Sequence, residues 1–189
     1  MPGGYSTTTM ISGDVKSCIV NYHFLMGKLE IRKATFQDAP GILRAHQNSI
    51  REIASKDHSV DQISAWSDHL TAEGYIKAMR SGEEYYIALD DEKIIGFSSM
   101  KNSTVMAVYV SSEGAGRGVG KALYYSLERE AARRNLTKFS LTSSLTARGF
   151  YKKLGFVELE EVLHKFKSGV KVKCFRMEKN LKCSNLDKF

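Results

Sequence analysis

The chain has 189 residues, enough for one domain with a sizeable core, and its 42% hydrophobic and 26% charged residues are ordinary for a globular protein. No apolar run is long enough for a membrane-spanning helix, which argues against a membrane partner. The formal charge of +7 raises nucleic acid as a partner, but the basic residues are spread along the chain, and a polyanionic small molecule is a simpler use for them.

Residues 1–27 are rich in Ser, Thr and Gly and lack the basic start and apolar core of a signal peptide. They read as a disordered extension. The domain is expected over 28–182, with a short tail at 183–189. Its first strand alternates over 29–34. Asp38-Ala39-Pro40 then opens a helix with Ile42, Leu43, His46, Ile50 and Ile53 on its apolar side. Ser59 is the expected cap of a second helix carrying Ile63, Trp66 and Leu70. A third helix over 71–80 leads to strands at 85–89, 94–100 and 105–110, the first two joined at Asp90-Asp91-Glu92. Val119, Leu123, Leu127 and Ala131 mark a helix that packs on the sheet. Strands follow at 138–142, 156–165 and 170–177, the last two joined at Ser168-Gly169. Cys18, Cys174 and Cys183 have neither metal spacing nor a disulfide pattern, so no metal is expected and a reducing cytoplasm fits.

The most informative stretch joins the third of those adjacent strands to the helix: Gly114, Gly116, Gly118 and Gly120 crowd the turn. Glycines admit backbone conformations closed to other residues and let a ligand approach bare amides. Unpaired N–H groups at a helix start, with the positive end of its dipole, favour a phosphate or pyrophosphate. A Walker A loop would need Gly at Ala115 and Ser or Thr at Ala122, and Gly-x-Gly-x-x-Gly finds no register here. Both are rejected.

The register Ala115-Gly116-Arg117-Gly118-Val119-Gly120 resembles the Gln/Arg-x-x-Gly-x-Gly/Ala pyrophosphate loop of the GNAT superfamily of acetyl-CoA-dependent N-acetyltransferases, with Ala115 in place of the leading Gln/Arg. A second segment, Ala147-Arg148-Gly149-Phe150-Tyr151 followed by Gly155-Phe156, resembles the family's helix carrying Ala-x-x-Phe-Tyr. Gly149 stands where many relatives have Pro, and Thr146 where they often have Asn. The resemblance implies the GNAT fold, an α/β domain whose mixed sheet of about seven strands is splayed between the fourth and fifth and flanked by helices. It implies acetyl-CoA as cosubstrate, held by Val108, Tyr109, Val110, Ala115, Gly116, Arg117, Gly118, Val119, Gly120, Lys121, Ser144, Ala147 and Tyr151. Lys152 and Lys153 lie near the same segments. Tyr151 is implied as the acid that protonates the departing thiolate; taken without the family it reads as an aromatic packed beside Phe150 and Phe156.

In the family an acceptor amine attacks the thioester directly, so positioning supplies much of the rate. The pantetheine arm would pair with backbone at Val108 and Val110, and an amide near Val110 would stabilise the oxyanion. An alkyl ammonium has a pKa of about 10, so a base or proton wire is expected; Glu113, His46, His58, Glu83 and Glu84 are candidates. The region before the second strand lines the acceptor pocket in the superfamily, which nominates Arg51 and Trp66 for a small-molecule amine or peptide acceptor. A homodimer is an open alternative. So is a non-catalytic acyl-CoA-binding or regulatory module, which would keep the loop and lose turnover.

Overall fold

The computed structural model describes residues 29–181. The extension expected at 1–27 and the tail at 183–189 lie outside them. Seven strands form one sheet in the order β1-β2-β3-β4-β5-β7-β6. They are β1 (Leu29–Lys33), β2 (Glu84–Asp90), β3 (Lys93–Lys101), β4 (Thr104–Val110), β5 (Lys138–Ser144), β6 (Val157–Lys165) and β7 (Lys171–Asn180). All neighbours are antiparallel except β4 and β5, which run parallel and register only at Thr104 with Ser140. There the side-chain oxygens of Thr104 and Ser140 lie 3.3 Å apart, and the Ser140 amide donates to the Ser103 carbonyl. Beyond that point the two strands part, as the expected splay requires.

Helices cover both faces. α4 (Val119–Arg133) follows the glycine turn, and its stripe of Val119, Leu123, Leu127 and Ala131 is buried against the sheet. The Ser98 hydroxyl, itself buried, donates to the Leu123 carbonyl at 3.0 Å and fixes the helix height. α5 (Leu145–Lys153) shares this side, where Tyr124, Leu127, Tyr151, Phe156, Phe175 and Met177 form one core cluster. On the other face, α1 (Ala39–Asn48) and α3 (Ala72–Arg80) pack over Tyr85, Ile87, Leu89 and Phe97.

The sequence places Ile50 and Ile53 on a continuous α-helix after Pro40, and the structure departs from this. α1 ends at Asn48 and the chain widens into a π-helical turn, Ser49–Ile53, closed by the Ala54 amide on the Ser49 carbonyl. A short 3-10 turn, Ala54–Lys56, follows. The extra residue per turn re-aims the side chains: Ile50 is fully buried, and Ile53 borders a cavity. α2 (Val60–Ser67) starts as expected, with a reciprocal capping box between Ser59 and Gln62, but it stops before Leu70.

His46 illustrates how tightly the second core is closed. Its Nδ1 lies 2.8 Å from the Tyr75 hydroxyl, its Nε2 has no partner among the described residues, and its ring centroid is 3.8 Å from that of Tyr109. Burial, with a smaller contribution from His69, lowers its pKa from 6.5 to about 3. Between those values the unfolded chain binds the proton and the folded chain does not, so folding stability rises with pH across this window. The stability is present above pH 6.5 and is lost as the pH falls towards 3. The unfolding free energy from urea titrations is therefore expected to drop between pH 7 and pH 4, by up to ~1.4 kcal/mol per pH unit from this group. His46→Gln, which keeps a polar partner for Tyr75, should flatten that slope; an unchanged slope would contradict the assignment.

Candidate active site

The turn before α4 is built by two residues that need positive φ, Gly116 at 75° and Gly118 at 77°. A Cβ at either would meet nothing within 4 Å, so the backbone there faces open space. Ala115 donates to the Ser111 carbonyl and Ala122 to that of Gly118. Among the described residues, the amides of Gly116, Gly118, Val119, Gly120 and Lys121 find no acceptor. Such a cluster of unused donors at a helix start is an anion site.

In front of these amides lies a cavity of about 550 Å³, lined by the turn, Val110, Tyr125, Phe150 and Leu154 and by three lysines, Lys121, Lys153 and Lys179. The lysines supply the positive charge. Lys179 is shared with Glu128 at 2.5 Å, and the Lys121 ammonium lies 5.6 Å from the Tyr125 ring centre. Arg117, nominated for the same task, lies outside this lining. It pairs with Asp90 at 2.7 Å and reaches the Glu113 carbonyl at 3.3 Å.

A second cavity of about 180 Å³ shares Val110, Gly120 and Phe150 with the first, so the two meet. It occupies the gap between the parted strands. Val108, Tyr109 and Val110 line it from β4, Ser144 from the end of β5, and Thr146 and Ala147 from α5. The Ser144 hydroxyl also caps α5 by accepting from the Ala147 amide at 3.3 Å. Because the Ser111 amide donates to Ile95 of β3, strand alternation turns the amides and carbonyls of Val108 and Val110 the other way, towards the gap. An extended ligand can pair with them as an extra strand.

Trp66 closes the far side of this gap with Ser49, Ile53 and Ala54 of the π and 3-10 turns. The resemblance assigns this region to the acceptor pocket but singles out none of those three, since only the change of helical pitch brings them there. Arg51 is outside both linings, exposed and 3.7 Å from Asp68. The base candidates also stay outside. Glu113 pairs with Lys93 at 2.6 Å, Glu84 binds Lys33 and Arg134, Glu83 acts on Tyr85, His46 is held neutral in the core, and His58 sits edge-on to Trp66 at 5.4 Å.

Tyr151 is 6% exposed and lies outside the lining of both cavities, with its ring 5.2 Å from Phe150, which lines both, and 5.5 Å from Phe156. Burial, and then the neighbouring Tyr109 phenol, push its pKa well above the ordinary tyrosine value, so it stays protonated. Tyr109 is raised likewise by burial, while the neighbouring Trp66 indole works against this. Among the described residues, no group of three or more His, Cys, Asp or Glu could hold a metal ion, and no helix is long and apolar enough to cross a membrane.

Residues 54–181 match the family model described as an acetyltransferase (GNAT) domain. The chain belongs to the GNAT acetyltransferase family. Solved structures agree in fold. A GCN5-related N-acetyltransferase from Rhodopseudomonas palustris is 27% identical, with a TM-score of 0.76 over 84% of this chain and 99% of that one. The paia N-acetyltransferase from Thermoplasma acidophilum, solved with coenzyme A, is 19% identical, with a TM-score of 0.61 over 80% of this chain and 98% of that one. A phosphinothricin acetyltransferase from Sinorhizobium meliloti, solved with acetyl-CoA, is 17% identical, with a TM-score of 0.64 over 83% and 92%. A comparison with curated proteins gives no match.

Within this GNAT domain, two glycines separate backbone geometry from space. Gly118→Val strains a residue at φ 77° and fills the opening before the amides, so coenzyme A affinity by calorimetry is expected to fall at least ~tenfold. At Gly120 a Cβ would sit 3.5 Å from Phe150 and Val110, an ordinary contact, and Gly120→Ala should bind nearly as the wild type does. Unchanged affinity in Gly118→Val would contradict the loop as the anion site.

Proposed function

We propose that this protein moves the acetyl group of acetyl-CoA to a primary amine of a small molecule or peptide by direct attack. The observation that carries the reading is the set of unused amides from Gly116 to Lys121, facing a cavity that continues into the gap between β4 and β5. Acetyl-CoA supplies the acyl group as an activated thioester. The residues present fit its phosphates and its pantetheine arm. Bare amides and Lys121, Lys153 and Lys179 suit the phosphates, and the open backbone of Val108 and Val110 suits the pantetheine amides. Ala115 removes one side-chain contact found in relatives, yet donors from the main chain carry most of such a grip.

In this reading the Val110 amide, turned into the gap, donates to the acyl oxygen as charge grows there. Val108 and Val110 fix the arm in an extended form, so the reacting groups meet without further loss of freedom. Tyr151, kept neutral by burial, holds a proton for the sulfur that departs. Its ring packs edge-on against Phe150 and Phe156. Among the described residues the lining of the gap holds no carboxylate, so the amine enters neutral or gives up its proton at the rim, where Asp57 accepts from Thr146 at 2.7 Å. The absence of a disulfide pattern in the sequence fits a cytoplasmic setting.

Thiol release from acetyl-CoA, measured with a panel of amines, tests the transfer. Tyr151→Phe is expected to lower kcat at least ~tenfold while coenzyme affinity changes less than ~threefold. Equal losses in both would assign Tyr151 to packing alone. Tight coenzyme binding without release by the wild type would favour the non-catalytic module.

A further inference from the structure

The acceptor end of the gap is walled by rings and, among the described residues, carries no ionised side chain. Trp66 and Tyr109 meet there at nearly a right angle, with centroids 6.4 Å apart and planes at 81°. Both are fixed from behind. Tyr109 also stacks on Phe97 at 5.5 Å and 20°, and the His46 ring lies 3.8 Å from it. Trp66 is flanked by His58 and by Phe166, whose ring lies 6.2 Å away at the tip of the β6–β7 hairpin. The hairpin is held to α2 by the Gln62 side-chain amide, which donates to the Lys171 carbonyl at 2.8 Å. These contacts hold the two rings as a corner already shaped for a flat partner.

Charge and size narrow the partner further. Of the described residues lining the 180 Å³ cavity, none is Asp, Glu, Lys, Arg or His. Arg51 and Asp68 satisfy each other outside it, and Asp57 is exposed and bonded to Thr146 at the rim. A carboxylate or second ammonium carried into the corner would lose its water without gaining a partner. The volume is below the ~300–1,000 Å³ of pockets that hold drug-sized ligands, and part of it must take the acyl end.

We infer that the acceptor is a primary amine borne on a single flat aromatic body with no second charge, seated in the corner between Trp66 and Tyr109. The inference rests on the acetyl-transfer reading, and its test separates the two. Trp66 is the one tryptophan in the chain, so its emission reports occupancy of the corner directly.

The experiment titrates coenzyme A-loaded full-length protein with 2-phenylethylamine, spermidine and phenylalanine, following Trp66 fluorescence and calorimetry, and then measures thiol release from acetyl-CoA with the same three. The aryl amine is expected to change Trp66 emission and bind at least ~tenfold tighter than either competitor. In Trp66→Leu its affinity by calorimetry should fall at least ~tenfold, with coenzyme A binding retained as evidence of folding. Preference for spermidine or phenylalanine, no binding of the aryl amine, or undiminished affinity in Trp66→Leu overturns the inference. Release driven best by spermidine would refute the aromatic acceptor and leave acetyl transfer standing. Aryl-amine binding without thiol release from any amine would do the reverse.

Discussion

The structure depends on a helix that begins with its donors exposed. α4 cannot shift to bury them, because Val119, Leu123, Leu127 and Ala131 lock it to the sheet and Ser98 ties down the Leu123 carbonyl. The chain before it cannot cover them either, since Gly116 and Gly118 turn the backbone through positive φ and present no side chain. Most helix starts satisfy their first amides with a capping side chain, as Ser59, Thr71 and Ser144 do in this protein. Gly118 offers none at α4. The unmet bonds and the helix dipole are therefore left for a ligand that brings negative charge.

The second constraint is the parting of β4 from β5 after a single registered pair. Two parallel strands that separate leave a row of main-chain donors and acceptors facing each other across a gap, and that gap joins the anion cavity at Val110, Gly120 and Phe150. On the far side the halves are drawn together again. Thr146 donates to Asp57, Gln62 reaches Lys171, and Phe166 packs on Trp66. The gap thus becomes a passage with an anion-binding end, a main-chain middle and an aromatic end. Its chemistry changes along its length because three different physical causes shape it.

Local patterns carried much of this into the sequence. The stripe on α4, the glycine spacing, the capping residues and the order of strands depend on neighbours within a few turns, and the structure follows them closely. Lys179 had no such signal, because only the β5–β7 pairing brings that end of the chain to the cavity. The π-helical turn was equally silent: Ser49, Ile53 and Ala54 reach the gap through a change in pitch that a regular helical period does not reveal. Arg51 and Arg117 show the opposite failure. Their charge and position nominated them, but Asp68 and Asp90 are near enough to claim them. A surface cation is easily diverted in this way, whereas a backbone amide fixed by a packed helix is not.

The central claim is that main-chain donors at the start of α4 hold the coenzyme's diphosphate and deliver its acyl end into the gap between β4 and β5. A crystal structure with acetyl-CoA tests it most directly. The account predicts diphosphate oxygens within ~3.2 Å of amide nitrogens between Gly116 and Lys121, with the acyl group beside Val110 and Tyr151. A diphosphate bound elsewhere, with those amides still facing water, would contradict it.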